Sequence, residues 1–162
     1  MIAHITGVAT AYQPNVATLV ESLAATAPQV ENLLLVANDG APWSCQLPRN
    51  VALARQAENI GLGAAYNLAA RWAREQGATH LLLLDQDSVP VSGMVAALME
   101  GFKQPGPVAA VGPLWRDSRT GEKAAPIARG YIAAIKGLPA IWQTRRQIAS
   151  ERRRPQFCIL PP

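Results

Sequence analysis

The sequence predicts an α/β fold, a mainly parallel, doubly wound sheet with helices on both faces. Three observations carry this expectation. Short apolar runs alternate along the chain with segments of 3.6-residue periodicity. One run, "HLLLLDQDSVP" from His80 to Pro90, holds four consecutive leucines, as a strand covered on both faces requires. The chain of 162 residues is 49% hydrophobic and 16% charged, enough for one domain with a real core.

The elements follow in order. Residues 2–11 are apolar and β-rich, a first strand. Pro14-Asn15 opens a helix: Asn15 can cap it, Val16, Leu19, Val20 and Leu23 supply its face, and Pro28 marks its end. "NLLLV" (residues 32–36) is a second buried strand, closed by the turn residues Asn38-Asp39-Gly40. Residues 50–55 make a short third strand. Residues 62–76 form an alanine-rich helix that Gly77 terminates as its C′ residue. The leucine strand comes next, then a helix over residues 92–103 and a last strand in "PVAAVGP" (residues 107–113). The order β-α-β-β-α-β-α-β favours right-handed crossovers between parallel strands. Beyond residue 122 the pattern weakens, and the apolar stretch "QFCIL" reads as a core strand of a domain cut short, with an edge open to pairing.

Charge divides the chain in two. Residues 1–122 carry 7 basic and 10 acidic side chains, a balance of −3, and residues 123–162 carry 8 and 1, a balance of +7. The expected organisation is one domain over 1–122 and a basic, irregular segment over 123–162. The basic segment reads first as solvated surface and second as a contact for an anionic membrane surface, with nucleic acid not expected as a partner. No apolar stretch approaches the roughly 20 residues of a spanning helix, and the N-terminal residues do not read as a signal peptide. Cys45 and Cys158 form no CxxC pair, so neither a thiolate metal site nor a disulfide framework is expected, and the cytoplasm is the default location.

In open α/β sheets, ligands bind beyond the carboxyl ends of the strands. Asp85 and Asp87 stand at such an end, two residues apart, and on extended chain both would address one cation. Paired carboxylates with a neutral spacer suit Mg²⁺ or Mn²⁺ bridging to a diphosphate; the bland alternative is a solvated turn. In "ENIGLGAAYN", Gly61 and Gly63 precede a helix and resemble a phosphate-cradling turn, although Tyr66 stands where a dinucleotide fingerprint needs Gly or Ala. The alternative there is tight helix packing. The loops of Thr10 to Pro14 and of Asn38 to Gly40 open on the same edge and offer polar groups to a base and ribose. His4 and His80 read as strand residues rather than catalytic bases, and no Ser-His-Asp arrangement can be built from them.

Together these segments resemble the family 2 glycosyltransferases of the GT-A fold, and among them the rhamnosyltransferase-like branch. The resemblance rests on "TAYQPN", "VANDGAP", "ENIGLGAAYNLAARWAREQGATH", "LLLLDQDSVPVSGM" and "VAAVGPLWRDSRTG", roughly residues 3–122. It implies a Rossmann-like, nucleotide-sugar-binding half with the donor diphosphate on a divalent cation, Mg²⁺ or Mn²⁺, held by Asp87 and Asp85. It further implies that Thr10, Ala11, Tyr12, Asn38, Asp39, Asn59, Gly61, Gly63, Asn67, Asp85 and Gln86 bind the donor. The implied donor is dTDP-rhamnose, the acceptor a saccharide or lipid-linked precursor of a surface polysaccharide, and the outcome inversion, in the cytoplasm or at the inner face of the membrane.

The chain departs from the family where a general base belongs. Only Asp117, Glu122 and Glu151 follow the acidic pair, none in the expected setting, so the catalytic residue is unassigned. The expectation is therefore a truncated donor-binding half, able to bind metal and donor, with transfer in question and self-association through the open edge. Two alternatives stand beside it: a non-catalytic nucleotide-sugar-binding or interaction fragment, and a nucleotidyltransferase. The latter calls for a basic, glycine-rich segment after the first strand, where this chain has "ATAYQPN".

Overall fold

A computed structural model of the chain describes residues 3–42, 44–103, 105–106, 108–113, 120 and 157–160. Its elements are β1 (Ile5–Ala11), α1 (Val16–Thr26), a 3-10 turn (Ala27–Gln29), β2 (Asn32–Ala37), β3 (Val51–Arg55), α2 (Leu62–Glu75), β4 (His80–Asp85), α3 (Met94–Gly101) and β5 (Phe157–Leu160). The strands lie in the order β3-β2-β1-β4-β5, the first four parallel and β5 antiparallel to β4. This is the expected α/β architecture, a Rossmann-like, mainly parallel sheet with helices on both faces.

Alternation along each strand supplies two cores. On one face Ile5, Ala9, Ala11, Leu33, Leu35, Leu82 and Leu84 pack with Leu19 and Leu23 of α1 and Met94, Val95 and Leu98 of α3. On the other, Val8, Leu34, Val36 and Leu81 pack against Ala65, Ala69 and Ala73 of α2. Fully burying a leucine stabilises by roughly 1.5–3 kcal/mol, so the leucines of β2 and β4 dominate the core. Because β4 is leucine at four successive positions, its alternation alone does not fix register. Its polar ends do: a one-residue slip would drive His80 or Asp85 toward a core without a prepared partner.

Asn15 caps α1 as expected, its Oδ1 accepting from the Thr18 N–H at 3.2 Å. Gly77, with φ +75°, follows the C-cap of α2, also as expected. The buried face of α1 differs from the expected one: it is Leu19, Ser22, Leu23 and Thr26, and Val16 is exposed. Two hydroxyls are tolerated inside because each has an acceptor. Thr26 Oγ1 donates to the Ser22 carbonyl at 2.7 Å, and Ser22 Oγ donates to the Ser88 carbonyl at 2.5 Å.

A second difference concerns the far edge of the sheet. The strand expected over 107–113 does not form among the described residues 108–113, where only Val111 makes an isolated bridge. Pro107 and Pro113 lack the donors a ladder needs, and Gly112 disfavours extended order. The edge of β4 is taken instead by Phe157–Leu160, with Leu84 opposite Phe157 and Leu81 opposite Leu160. The apolar stretch expected to await another chain thus pairs within its own. No helix among the described residues is long and apolar enough to cross a membrane.

The chain steps outward from β1 to β2 to β3, then returns to place β4 on the other flank of β1. The topological switch point lies between β1 and β4. In open α/β sheets ligands bind at such a point, outside the carboxyl ends of the strands. Here α1 and α3, which follow β1 and β4, pack on one face of the sheet and α2 on the other.

At the opposite, amino edge, His80 packs edge-on to Phe102 with ring centroids 5.0 Å apart, and burial lowers its pKa below 6.5. A lowered folded-state value means that folding favours the neutral ring. This contribution is fully present above pH 6.5 and is lost as pH falls through the folded value. Thermal melts from pH 7.5 to 5 are expected to show a smaller acid-induced loss of Tm in His80→Phe than in the parent. Identical pH profiles would show that His80 contributes nothing to acid sensitivity.

Candidate functional site

The four parallel strands end on one edge, and side chains bonded to backbone join the loops that leave them. Across the switch point, the Tyr12 N–H donates to Gln86 Oε1 at 2.7 Å. The Gln13 and Ala41 N–H groups donate to Asp39 Oδ2 and Oδ1, each at 3.0 Å. Asn38, 3% exposed, donates its N–H to the Ala11 carbonyl at 2.8 Å and accepts from the Ile60 N–H on Oδ1 at 3.0 Å. Its Nδ2 donates to Asn59 Oδ1 at 3.0 Å, and that oxygen also accepts from the Gly61 N–H at 2.8 Å. One run of hydrogen bonds therefore links the exits of β4, β1 and β2 to the turn before α2.

Two backbone positions tighten this edge. A Cβ on Gly40, at φ +66°, would lie 2.3 Å from the Ala57 carbonyl oxygen, so only glycine lets these loops meet. Gln13 holds φ +45°, a left-handed conformation that costs a non-glycine residue roughly 1–2 kcal/mol. Its N–H bond to the Asp39 carboxylate offsets that strain, since hydrogen bonds to charged acceptors are the stronger kind.

Most of the sequence-derived candidates come together here. Thr10 and Ala11 end β1 and Tyr12 follows it; Asn38 and Asp39 leave β2; Asn59 and Gly61 precede α2; Asp85 ends β4, and Gln86 and Asp87 follow it. Asn38 faces inward, its amide committed to the loops it joins. Gly63 lies within the first turn of α2, and Asn67, one turn further along, is exposed. Of the two glycines read as a phosphate-cradling turn, Gly61 has positive φ (+78°) and precedes α2, whereas Gly63 is helical.

Asp85 is partly buried and stands in register beside Thr10, whose buried Oγ1 has no hydrogen-bond partner. Asp87 is exposed. The expectation that both acids share one face of extended chain needs correction: β4 ends at Asp85 and the chain turns at Gln86 and Asp87, so strand alternation stops between them.

Among the described residues, no group of three or more His, Cys, Asp or Glu side chains could enclose a metal ion. The residues present fit a different kind of site. Mg²⁺ or Mn²⁺ takes one or two carboxylates and completes its shell with phosphate and water. Asp85 and Asp87 supply such carboxylates, and the unpartnered Thr10 hydroxyl lies beside Asp85. His80 opens β4, as expected, and His4 stands just before β1 rather than within it; at this amino edge they bond to Thr79 and to the Gly77 carbonyl. Asp117, Glu122 and Glu151 lie outside the described residues.

Sequence reasoning missed several contributors. Gln13 gave no signal, because its importance is a backbone angle. Arg55, ending β3 on the same edge with Nη1 3.5 Å from the Ala41 carbonyl, is a single cation in a strand that carries no motif. Ser22 left a faint trace, a hydroxyl three positions after Leu19 on the apolar side of α1.

Comparison with known proteins bears on what this edge is for. The family model described as glycosyl transferase family 2 matches residues 13–154. The chain belongs to glycosyltransferase family 2. The matched span runs from the exit loop of β1 past residue 122, where the motif resemblance ends. Among solved structures, the crystal structure of S. aureus TarS 1-349 is similar at 15% identity and a TM-score of 0.47. The similarity covers 62% of this chain and 32% of that one, so the chain spans about a third of that structure's length. Among curated proteins, none matches.

The two glycines of the α2 entrance separate by substitution. Neither would place a Cβ within 4 Å of another atom, so backbone conformation alone decides the effect. Gly61→Ala is expected to destabilise by about 1 kcal/mol, and Gly63→Ala to stabilise by up to about 1 kcal/mol through helix propensity. Denaturant midpoints measure both. Shifts of the same sign would contradict the left-handed turn at Gly61.

Proposed function

We propose that this family 2 domain binds a nucleotide-sugar donor at the carboxyl edge and transfers its sugar to a saccharide acceptor. The observation that carries the reading is the pairing of Thr10 with Asp85 across the switch point, closed above by the Tyr12–Gln86 bond. The donor diphosphate would lie over the end of β4, with Asp85 and Asp87 holding Mg²⁺ or Mn²⁺. When bound, that cation neutralises the diphosphate and makes it a better leaving group. The loop of Thr10, Ala11 and Tyr12 would bind base and ribose with Asp39. Gly61 would let the backbone at the start of α2 approach the donor, and Asn38 and Asn59 would hold that turn in place.

The proposed donor is dTDP-rhamnose, supported by the likeness of "DQDSVP" to the rhamnosyltransferase-like branch. The proposed acceptor is a saccharide or lipid-linked precursor of a surface polysaccharide, with inversion at the anomeric carbon. An acceptor hydroxyl must lose its proton as it attacks, and a positioned base contributes about 10² to 10⁴ in rate. The group that takes this proton is unassigned. The proposed working place is the cytoplasm, at the inner face of the membrane, where the basic segment 123–162 would meet anionic lipid.

Calorimetry with dTDP, in Mn²⁺ and in EDTA, tests the assignment. The parent is expected to bind more tightly with Mn²⁺. Asp87→Asn is expected to lose that gain, about tenfold or more, with its melting temperature unchanged. Retention of the full Mn²⁺ dependence by Asp87→Asn would remove Asp87 from the site.

A further inference from the structure

The segment between the acidic pair and α3 has little internal support. Among the described residues, turn bonds within it run from the Ser88 N–H to the Asp85 carbonyl at 3.5 Å and from the Met94 N–H to the Val91 carbonyl at 3.2 Å. Gly93, in the left-handed conformation, precedes α3 and offers it no side-chain cap. Two residues on the far side of α1 reach this segment instead. Ser22 Oγ, in the core, donates to the Ser88 carbonyl at 2.5 Å, one residue after Asp87. Gln29, at the end of the 3-10 turn, donates from Nε2 to the Ala25 carbonyl at 2.9 Å and to the Val91 carbonyl at 3.1 Å. Its Oε1 accepts from the Val95 N–H at 3.2 Å. One amide therefore ties the acidic loop to its base and supplies the N-terminal cap that α3 lacks.

We infer that Ser22 and Gln29 are positioning residues that set Asp85 and Asp87 relative to β1 from behind the site. The inference deepens the proposed function, resting on its reading of the two acids as the diphosphate-metal site. The Tyr12–Gln86 bond holds the front of the loop, while Ser22 and Gln29 hold the back at Ser88 and Val91. With both ends fixed, the turn that carries Asp87 has one arrangement to offer a cation. The Ser22 bond is buried and the Gln29–Val95 bond half-buried, where water competes poorly, while the Gln29–Val91 and Tyr12–Gln86 bonds are exposed.

Gln29→Glu separates positioning from simple capping. The carboxylate keeps an acceptor for the Val95 N–H, where the helix N-terminus favours negative charge, but cannot donate to the Val91 carbonyl. Amide hydrogen exchange in the free protein is the first readout. Exchange across residues 86–91 is expected to rise about fivefold or more in Gln29→Glu and Ser22→Ala, with α3 still protected in Gln29→Glu. Calorimetry with dTDP and Mn²⁺ is the second readout: a loss of about fivefold is expected in Mn²⁺, and none in EDTA.

Unchanged exchange across 86–91 would overturn the inference. So would raised exchange with undiminished Mn²⁺-dependent binding, because the restraint would then be idle. If the parent bound dTDP without regard to Mn²⁺, the reading of the acids would fail, and exchange alone would still decide whether the two residues restrain the loop. A loss in Ser22→Ala confined to melting temperature would mark that residue as core packing only.

Discussion

The parallel pairing of β1 with β4, which sets Thr10 beside Asp85, is the constraint on which the rest depends. Parallel strands deliver their carboxyl ends to one edge, and here the leucines of β4 and the small residues of β1 are buried on both faces. Neither strand can slide without exposing apolar surface or burying its polar end. The site is thus located by hydrophobic burial several residues away, although no apolar side chain performs chemistry. The carboxyl-edge loops that leave this pair of strands lead to α1 and α3 on one face of the sheet, and the edge above the strand ends is the place the fold provides for a ligand.

Burial fixes the strands but not the loops, and polar side chains complete the work. Asn38 illustrates the division. It stands one residue beyond β2, almost wholly inaccessible, and both ends of its amide bind the segment that leads to Gly61. Asp39, next along, faces the other way and holds the strained backbone of Gln13. An unpaired amide in such a place would cost about 1–3 kcal/mol, so the network is stable only when complete. Ser22 and Gln29 extend the same logic to the back of the acidic loop.

Much of this was legible in the residues. The leucine run, the turn at Asn38-Asp39-Gly40 and the glycine after α2 located strands, loops and a helix end through local chemistry. The acids at the end of β4 and Gly61 at the entrance of α2 stood out for the same reason. The failures share a cause, which is that the deciding contact is distant in sequence. Ser22 is buried because Ser88 meets it, and Phe157–Leu160 becomes a strand because the edge of β4 awaits it. Periodicity within "PVAAVGP" could not reveal that competition. Gly63 was misjudged because a glycine before an alanine-rich run serves equally as a left-handed turn or as the first turn of a helix.

The central claim is that one edge of the sheet, and only that edge, receives the nucleotide of a sugar donor. Amide chemical-shift mapping of the protein titrated with dTDP in Mg²⁺ tests it most directly. The account predicts shifts confined to the carboxyl-edge loops, at Tyr12, Gln13, Asp39, Ile60, Gly61, Gln86 and Asp87, with His4, Gly77 and Thr79 at the amino edge unmoved. Shifts centred on the amino edge, or saturable binding that leaves the β1 and β4 exits untouched, would contradict it.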